Sequence, residues 1–176
     1  MHFGKATLSD LLAIPEGERR HEIIDGEVTL KGAATPGHGA AQAVVGGSLW
    51  GPFSRKPGGP NAPGGWWFAT DIEVTFGPHQ IFRPDVLGWR RERVPALPEE
   101  FATSVVPDWV CEILSTNRGA DLVKKFRAYH QARVPHYWVL DPLDFTLTVY
   151  RWNEGGYLVA QRAERGEKVR PEPFDA

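Results

Sequence analysis

Two acidic residues interrupt apolar segments of this sequence, where carboxylates are unexpected. Asp85 directly precedes Val86 in the apolar and aromatic run 81–89, and Glu112 lies inside the apolar run 109–114. A carboxylate in a buried strand costs several kcal/mol unless it is ion-paired, hydrogen-bonded or bound to a metal. Each of these two acids therefore requires a partner.

A divalent cation is one candidate partner. Pro84 has no amide N–H and marks an edge or a bulge of a strand, where Asp85 could point into a cleft. Two carboxylates from neighbouring strands repel each other, and Mg²⁺ needs only one or two carboxylates, with waters and phosphate oxygens completing its shell. Ion pairing is the open alternative, because Glu112 could pair with Arg83 or Lys125, and Asp85 could cap the turn after Pro84.

The surrounding pattern predicts a mixed α/β fold that would position these acids. Helices are predicted at residues 7–14, 37–50 and 119–133, the last with N-cap candidates at 115–117. Strands are predicted at residues 21–25, 27–31, 67–76, 81–89, 109–114, 136–140, 145–152 and 157–160. Turn dipeptides at 25–26 and 77–78 predict that the first four of these strands form two hairpins, and 51–65 is predicted to be a loop. This order predicts one domain spanning residues 1–176, with a twisted mixed sheet flanked by helices.

Composition limits the class of protein. The chain of 176 residues is 41% hydrophobic and 24% charged, as is typical of a globular domain. Cys111 is the one cysteine, so we expect no internal disulfide and a reducing, cytoplasmic compartment. Residues 1–20 lack the apolar stretch of a secretory signal, and no run approaches the roughly 20 apolar residues of a membrane span. The net charge of −2 argues against a non-specific nucleic-acid coat protein.

Five segments form an ordered set along the chain. They are residues 21–27 (HEIIDGE), 83–86 (RPDV), 110–115 (VCEILS), 121–125 (DLVKK) and 134–142 (VPHYWVLDP). This set resembles the Uma-type restriction endonuclease family, within the PD-(D/E)XK restriction endonuclease-like superfamily. The resemblance implies a restriction endonuclease-like fold, a central mixed β-sheet flanked by helices. It also implies a Mg²⁺-dependent endonuclease that hydrolyses phosphodiester bonds in DNA, with Mn²⁺ as an alternative ion.

The same resemblance implies a set of site residues. Asp85 and Glu112 would be the metal-binding acids, the carbonyl of Ile113 a further ligand, and Glu22 an additional acid. His38 matches a histidine near the start of the helix after the first hairpin and would touch substrate.

The lysine of the site departs from the superfamily pattern. The superfamily places it two residues after the second acid, where this chain has Leu114, whereas the family takes it from the following helix, at Lys125. Asp121, Lys125 and Tyr129 are spaced by four and share one helix face, so Tyr129 is a further candidate for substrate binding. As a hypothesis, the metal would lower the pKa of a bound water, Lys125 would orient that water, and Glu22 would complete the site.

Two other functions stay open beside the DNA endonuclease. The chain could be a catalytically inactive interaction module with the same fold, or a metal-dependent hydrolase of another phosphate ester. DNA is the expected partner, and a homodimer is expected because two cuts in a duplex require two sites. Cys111 is predicted to be a core residue, and His130 and His136 show no metal-ligand spacing.

Overall fold

A computed structural model describes residues 4–55, 64–115 and 120–175 of the chain. Its helices are α1 (Leu8–Leu12), α2 (Pro36–Phe53) and α3 (Ala120–Gln131), with a 3₁₀ turn at Glu16–Glu18. Its strands are β1 (His21–Ile24), β2 (Glu27–Leu30), β3 (Trp66–Ala69), β4 (Val74–Gly77), β5 (Gln80–Phe82), β6 (Val86–Arg90), β7 (Trp109–Ile113), β8 (His136–Asp141), β9 (Thr146–Arg151) and β10 (Leu158–Ala163).

The strands of the described ranges form a large sheet and a small sheet. The large sheet has the order β10-β9-β8-β7-β6-β3, and the small sheet has the order β2-β1-β5-β4. Strands β7 and β8 pair in parallel and are joined through α3, while the other pairs in both sheets are antiparallel. The predicted mixed sheet flanked by helices is therefore confirmed.

Local turn and cap chemistry explains the first elements. The amide of Thr7 donates to Asp10 Oδ2 at 2.8 Å, a capping contact at the start of α1. Asp25 and Gly26 have φ angles of 54° and 86°, as a two-residue turn between β1 and β2 requires. The predicted first hairpin is confirmed.

The second predicted hairpin continues through both sheets. Its tip, β4 with β5, belongs to the small sheet, and its base, β3 with β6, belongs to the large sheet. The arms change sheet at Asp71, which has a φ of 51°, and at Pro84, which has no N–H to donate to a strand partner. The runs 67–76 and 81–89, predicted as unbroken strands, are each interrupted at this point.

Helix α2 extends further than predicted, to Phe53, into the predicted loop at 51–65. Residues 56–63 of that loop, and the cap candidates Thr116 and Asn117, lie outside the described residues. No helix within the described residues is both long and apolar enough to cross a membrane.

Apolar side chains cover both faces of the large sheet. On one face, Leu49 and Phe53 of α2 pack with Trp109, Cys111 and Trp138, and Cys111 is thus a core residue as predicted. The other face packs against α3 and the small sheet, with a core that includes Ile24, Phe82, Val110, Tyr129 and Tyr137. Because β7 alternates between the two faces, Glu112 points toward α3 and the small sheet.

Candidate active site

The two acids predicted from the sequence lie next to each other at the end of β7. Strands β6 and β7 pair Val86 with Cys111, and this register extended by one residue sets Asp85 opposite Glu112. Asp85 is 2% exposed and Glu112 is 7% exposed. The change of sheet at Pro84 means that β6 begins just after Asp85, whose side chain turns toward Glu112.

Asp85 is held by three donors. Its Oδ1 accepts from Lys31 Nζ at 2.9 Å, and its Oδ2 accepts from the backbone N–H of Ile113 at 2.7 Å. His38 Nε2 lies 3.2 Å from the same Oδ2. Burial raises the pKa of Asp85, but the hydrogen bond from His38 and the charge of Lys31 outweigh it and lower the pKa from 3.8 to about 2. Asp85 is therefore a carboxylate at neutral pH, and the same contact raises the pKa of His38.

Glu112 behaves differently from Asp85, although both side chains are buried. Lys125 Nζ lies 3.3 Å from its Oε1, and the hydroxyl of Tyr129 donates to the same oxygen. Burial dominates and raises the pKa of Glu112 to about 7, although the charge of Lys125 opposes this shift. Burial, followed by the charge of Glu112, raises the pKa of Tyr129, which therefore stays a neutral donor. Glu112 is poised to exchange a proton near neutral pH.

Glu22 joins the small sheet to this group. It is 3% exposed on β1, and its Oε1 accepts from Lys125 Nζ at 2.9 Å and from the backbone N–H of Arg83 at 2.7 Å. Burial lowers the pKa of Lys125, but Glu112 and Glu22 outweigh burial and raise it. Lys125 is thus a charged ammonium between two carboxylates.

These side chains line one cavity of about 90 Å³. Its lining includes Glu22, Lys31, His38, Asp85, Glu112, Ile113 and Lys125. The structure brings together all the predicted site residues except Tyr129, which is fully buried and reaches the group through Glu112. The side chain of Asp121, predicted to share the face of Lys125, lies outside the described set.

The ion-pairing alternative also finds support in these contacts. Glu112 pairs with Lys125, one of the two cations named for it, while the guanidinium of Arg83 binds the carbonyl oxygens of Asp71 and Arg19. Asp85 accepts from the amide of Ile113 on the neighbouring strand, where a turn cap had been the alternative.

Three residues near Asp85 were missed by the sequence analysis. Lys31 contacts Asp85 and Asp71, and Gln42 Nε2 donates to Asp71 Oδ2 and to the carbonyl of Asp85, each at 2.7 Å. Strand alternation could have found one of them: Thr29 pairs with Glu22, so Lys31, two residues further, projects from the same face as Glu22. Nothing in the sequence marks Gln42 or Asp71.

The donor atoms suit a hard divalent cation. Carboxylates from Glu22, Asp85 and Glu112 line one cavity, and carboxylate oxygens are ligands of the kind that Mg²⁺ binds with retained waters. As the side chains stand in residues 4–55, 64–115 and 120–175, no three His, Cys, Asp or Glu residues are grouped to hold an ion. Lysines occupy the space between the acids, but the chemistry of the donor set fits Mg²⁺ or Mn²⁺.

Comparison with known proteins agrees with this architecture. The crystal structure of a "putative nuclease belonging to DUF820" from Anabaena variabilis is similar with a TM-score of 0.75 and 23% sequence identity, over 95% of this chain and 89% of that chain. The likeness confirms the predicted restriction endonuclease-like fold. No curated protein matches the chain. The model of the Uma2 family, described as "Putative restriction endonuclease", matches residues 8–175, and the chain therefore belongs to the Uma2 family.

Proposed function

We propose that this protein is a metal-dependent endonuclease that hydrolyses phosphodiester bonds in DNA. The observation that carries the proposal is the convergence of Glu22, Asp85, Glu112 and Lys125, all buried, on one cavity. Buried acids held beside a lysine are costly to maintain for stability alone, and such groups concentrate at functional sites. Membership of the Uma2 family supports the nuclease class.

Asp85, Glu112 and the carbonyl of Ile113 would hold Mg²⁺, or Mn²⁺ in its place. Such an ion, when bound, lowers the pKa of a water and offsets phosphate charge. Glu112 binds a cation only as a carboxylate. Its pKa is raised to about 7, so at lower pH its proton must leave before an ion can bind. Tyr129 and the strand amide of Ile113 fix the orientation of the two acids.

Lys125 would act on the phosphate. Its ammonium stays charged between Glu22 and Glu112 and lines the same cavity, where it can offset negative charge that develops on the phosphate oxygens. Glu22 positions Lys125 and anchors the backbone of Arg83 just before Asp85. His38 contacts Asp85 from α2 and can reach a substrate that enters the cavity.

A second candidate function rests on one specific observation. Lys31 and Lys125 already neutralise much of the carboxylate charge, as expected of a structural ion-pair network in a non-catalytic interaction module. Such a module would keep the fold and bind a partner without cleaving it.

Cleavage assays separate these functions. Single- and double-stranded DNA are incubated with the protein in Mg²⁺ or Mn²⁺, beside the variants Asp85→Asn, Lys125→Ala and the control Lys124→Ala. Lys124 is a suitable control because it neighbours Lys125 in α3 but pairs with the exposed Glu27, at 3.7 Å, and not with the acids of the cavity. We expect the first two variants to lose cleavage by about a hundredfold or more, and the control to retain it. Absence of cleavage and of any metal-dependent rise in melting temperature would favour the interaction module. Hydrolysis of mononucleotides without cleavage of DNA would indicate another phosphate ester as substrate.

We also propose that the chain acts in the cytoplasm as a homodimer of single domains spanning residues 1–176. Cys111, buried and unpaired, suits a reducing compartment. Two-fold pairing is the commonest assembly and would supply one site for each strand of a duplex. Sedimentation velocity tests the dimer, which a single monomeric species across the accessible concentrations would exclude.

A further inference from the structure

The ammonium of Lys31 occupies a cage of three oxygen atoms. Its Nζ donates to the carbonyl of Arg83 at 2.6 Å, to Asp71 Oδ1 at 2.8 Å and to Asp85 Oδ1 at 2.9 Å. The Lys31 side chain is only 19% exposed. Two carboxylates and a carbonyl around one positive centre are the ligands that a hard cation would select, and here the cation belongs to the chain itself.

The cage is braced independently of Lys31. Gln42 of α2 donates from Nε2 both to Asp71 Oδ2 and to the carbonyl of Asp85. The second oxygen of Asp85 is held by the backbone N–H of Ile113. Removing the ammonium would therefore leave the two carboxylates in place without their counter-charge.

Lys31 pairs with Asp85, which is also a proposed metal ligand. It lines the same cavity as Glu22, Glu112 and Lys125 and contacts the Oδ1 of Asp85. Lys31 and Lys125 together offset part of the negative charge of the three acids that line the cavity, and without Lys31 less of that charge would be offset. A divalent cation would then meet a more negative site with one oxygen of Asp85 released.

We propose that Lys31 is an internal counter-cation of Asp85 that competes with the divalent ion and sets the ion concentration at which the site loads. This inference rests on the proposed function, because it takes Asp85 as a ligand of the ion. Lys31 is in this sense a residue that tunes metal affinity, and it has no part in the bond cleavage.

Mn²⁺ binding tests the inference without reference to activity. The full chain, Lys31→Met, Lys31→Gln and the control Lys124→Met are titrated with Mn²⁺, with free ion followed by electron paramagnetic resonance and melting temperature followed in parallel. We expect both Lys31 variants to bind Mn²⁺ about tenfold or more tightly than the parent, because a positive charge near the ion has been removed. Their melting temperatures should fall without metal and rise more steeply with it, while Lys124→Met should follow the parent. Lys31→Gln keeps amide donors for Asp85 and serves if the methionine variant does not fold.

Each other outcome overturns a defined part of the proposal. If the parent binds Mn²⁺, Asp85→Asn abolishes this binding, and the Lys31 variants bind no more tightly, the inference about Lys31 is wrong while the metal site stands. If Asp85→Asn binds Mn²⁺ as the parent does, or if no form binds Mn²⁺, the proposed metal site and the inference both fail.

Discussion

Lys125 Nζ lies 2.9 Å from Glu22 Oε1, although 103 residues separate them along the chain. The contact joins α3 to the small sheet, and both side chains are almost wholly buried, at 8% and 4% exposure. Because Lys125 also lies beside Glu112, it is the charge that allows two buried carboxylates to face each other.

Replacing Lys125 with methionine should therefore destabilise the fold strongly. Removing one partner of a buried ion pair leaves an uncompensated charge and costs roughly 3–5 kcal/mol. We expect about 3 kcal/mol in the free energy of unfolding by urea, since Glu112 can take up a proton and relieve part of the repulsion. At the neighbouring position, where the side chain is 37% exposed, Lys124→Met should change the free energy of unfolding by less than about 0.5 kcal/mol. Equal losses in the two variants would contradict the role assigned to the buried pair.

Two buried tyrosines should respond in opposite ways to loss of the hydroxyl. The hydroxyl of Tyr129 donates to Glu112, so Tyr129→Phe should lower the free energy of unfolding by about 1–3 kcal/mol. The hydroxyl of Tyr137 is buried and has no hydrogen-bond partner within the described part of the chain, so Tyr137→Phe should be neutral or stabilising. Urea denaturation of both variants checks this contrast, and a larger loss in Tyr137→Phe would refute it.

Gly88 of β6 is required by the close approach of β3. A Cβ atom added there would lie 3.0 Å from Phe68 Cδ1 and 3.0 Å from the carbonyl oxygen of Trp67. Gly88→Ala should destabilise the protein by about 1–3 kcal/mol, because a backbone atom cannot yield as a flexible side chain can. Gly47 in α2 is the matched control, because no atom of the described residues lies within 4 Å of a Cβ added there. Gly47→Ala should stabilise by roughly 0.5–1 kcal/mol. Thermal unfolding of the two variants measures the difference, and a shift of the same sign in both would count against the packing argument.

His136 should make stability fall in mild acid. Burial, followed by the charges of Arg90 and Arg151, lowers the pKa of His136 from 6.5 to about 4. Between about pH 6.5 and pH 4, His136 is therefore protonated in the unfolded chain but neutral in the folded chain. This difference favours unfolding, so the stability present above pH 6.5 is lost as the pH falls toward 4.

The variant His136→Gln isolates this effect. Glu112, whose pKa is raised, contributes stability that is gained as the pH falls below about 7, but it does so equally in both proteins. The free energy of unfolding of the parent relative to the variant should fall by at most about 3 kcal/mol between pH 7 and pH 4.5. A constant difference between the two proteins over this range would show that His136 does not contribute to the pH dependence of stability.

Much of the fold could be predicted because its signals are local. The dipeptide Asp25-Gly26 specified the first hairpin, and the apolar run around Glu112 specified the strand β7. A helix between two strands was likewise predicted at residues 109–140, and the structure shows that these strands, β7 and β8, pair in parallel.

The change of sheet in the long hairpin could not be predicted in this way. It depends on a positive φ at Asp71, which is not a glycine, and on which of two sheets offers a partner at each end. Pro84 marks an irregularity in the second arm, but tertiary pairing decides which sheet each end of the hairpin joins.

Asp85 and Glu112 could be picked out because carboxylates are out of place in buried strands, whereas Glu22 was named only through the family resemblance. Their assigned roles as metal ligands and catalytic groups stay predictions. Lys31 escaped notice because a lysine at the end of an exposed hairpin strand is ordinary, and its contact with Asp85 spans 54 positions of the chain.

The long hairpin connects the two sheets, because its strands belong to both of them. Its tip belongs to the sheet that carries Glu22 and its base to the sheet that carries Glu112, so the angle between the sheets sets the spacing of these two acids. A ligand in the cavity that contacts side chains of both sheets would oppose any local opening between them. Binding of such a ligand should therefore slow the hydrogen exchange of the amides of β1 and β5 relative to the protein without ligand.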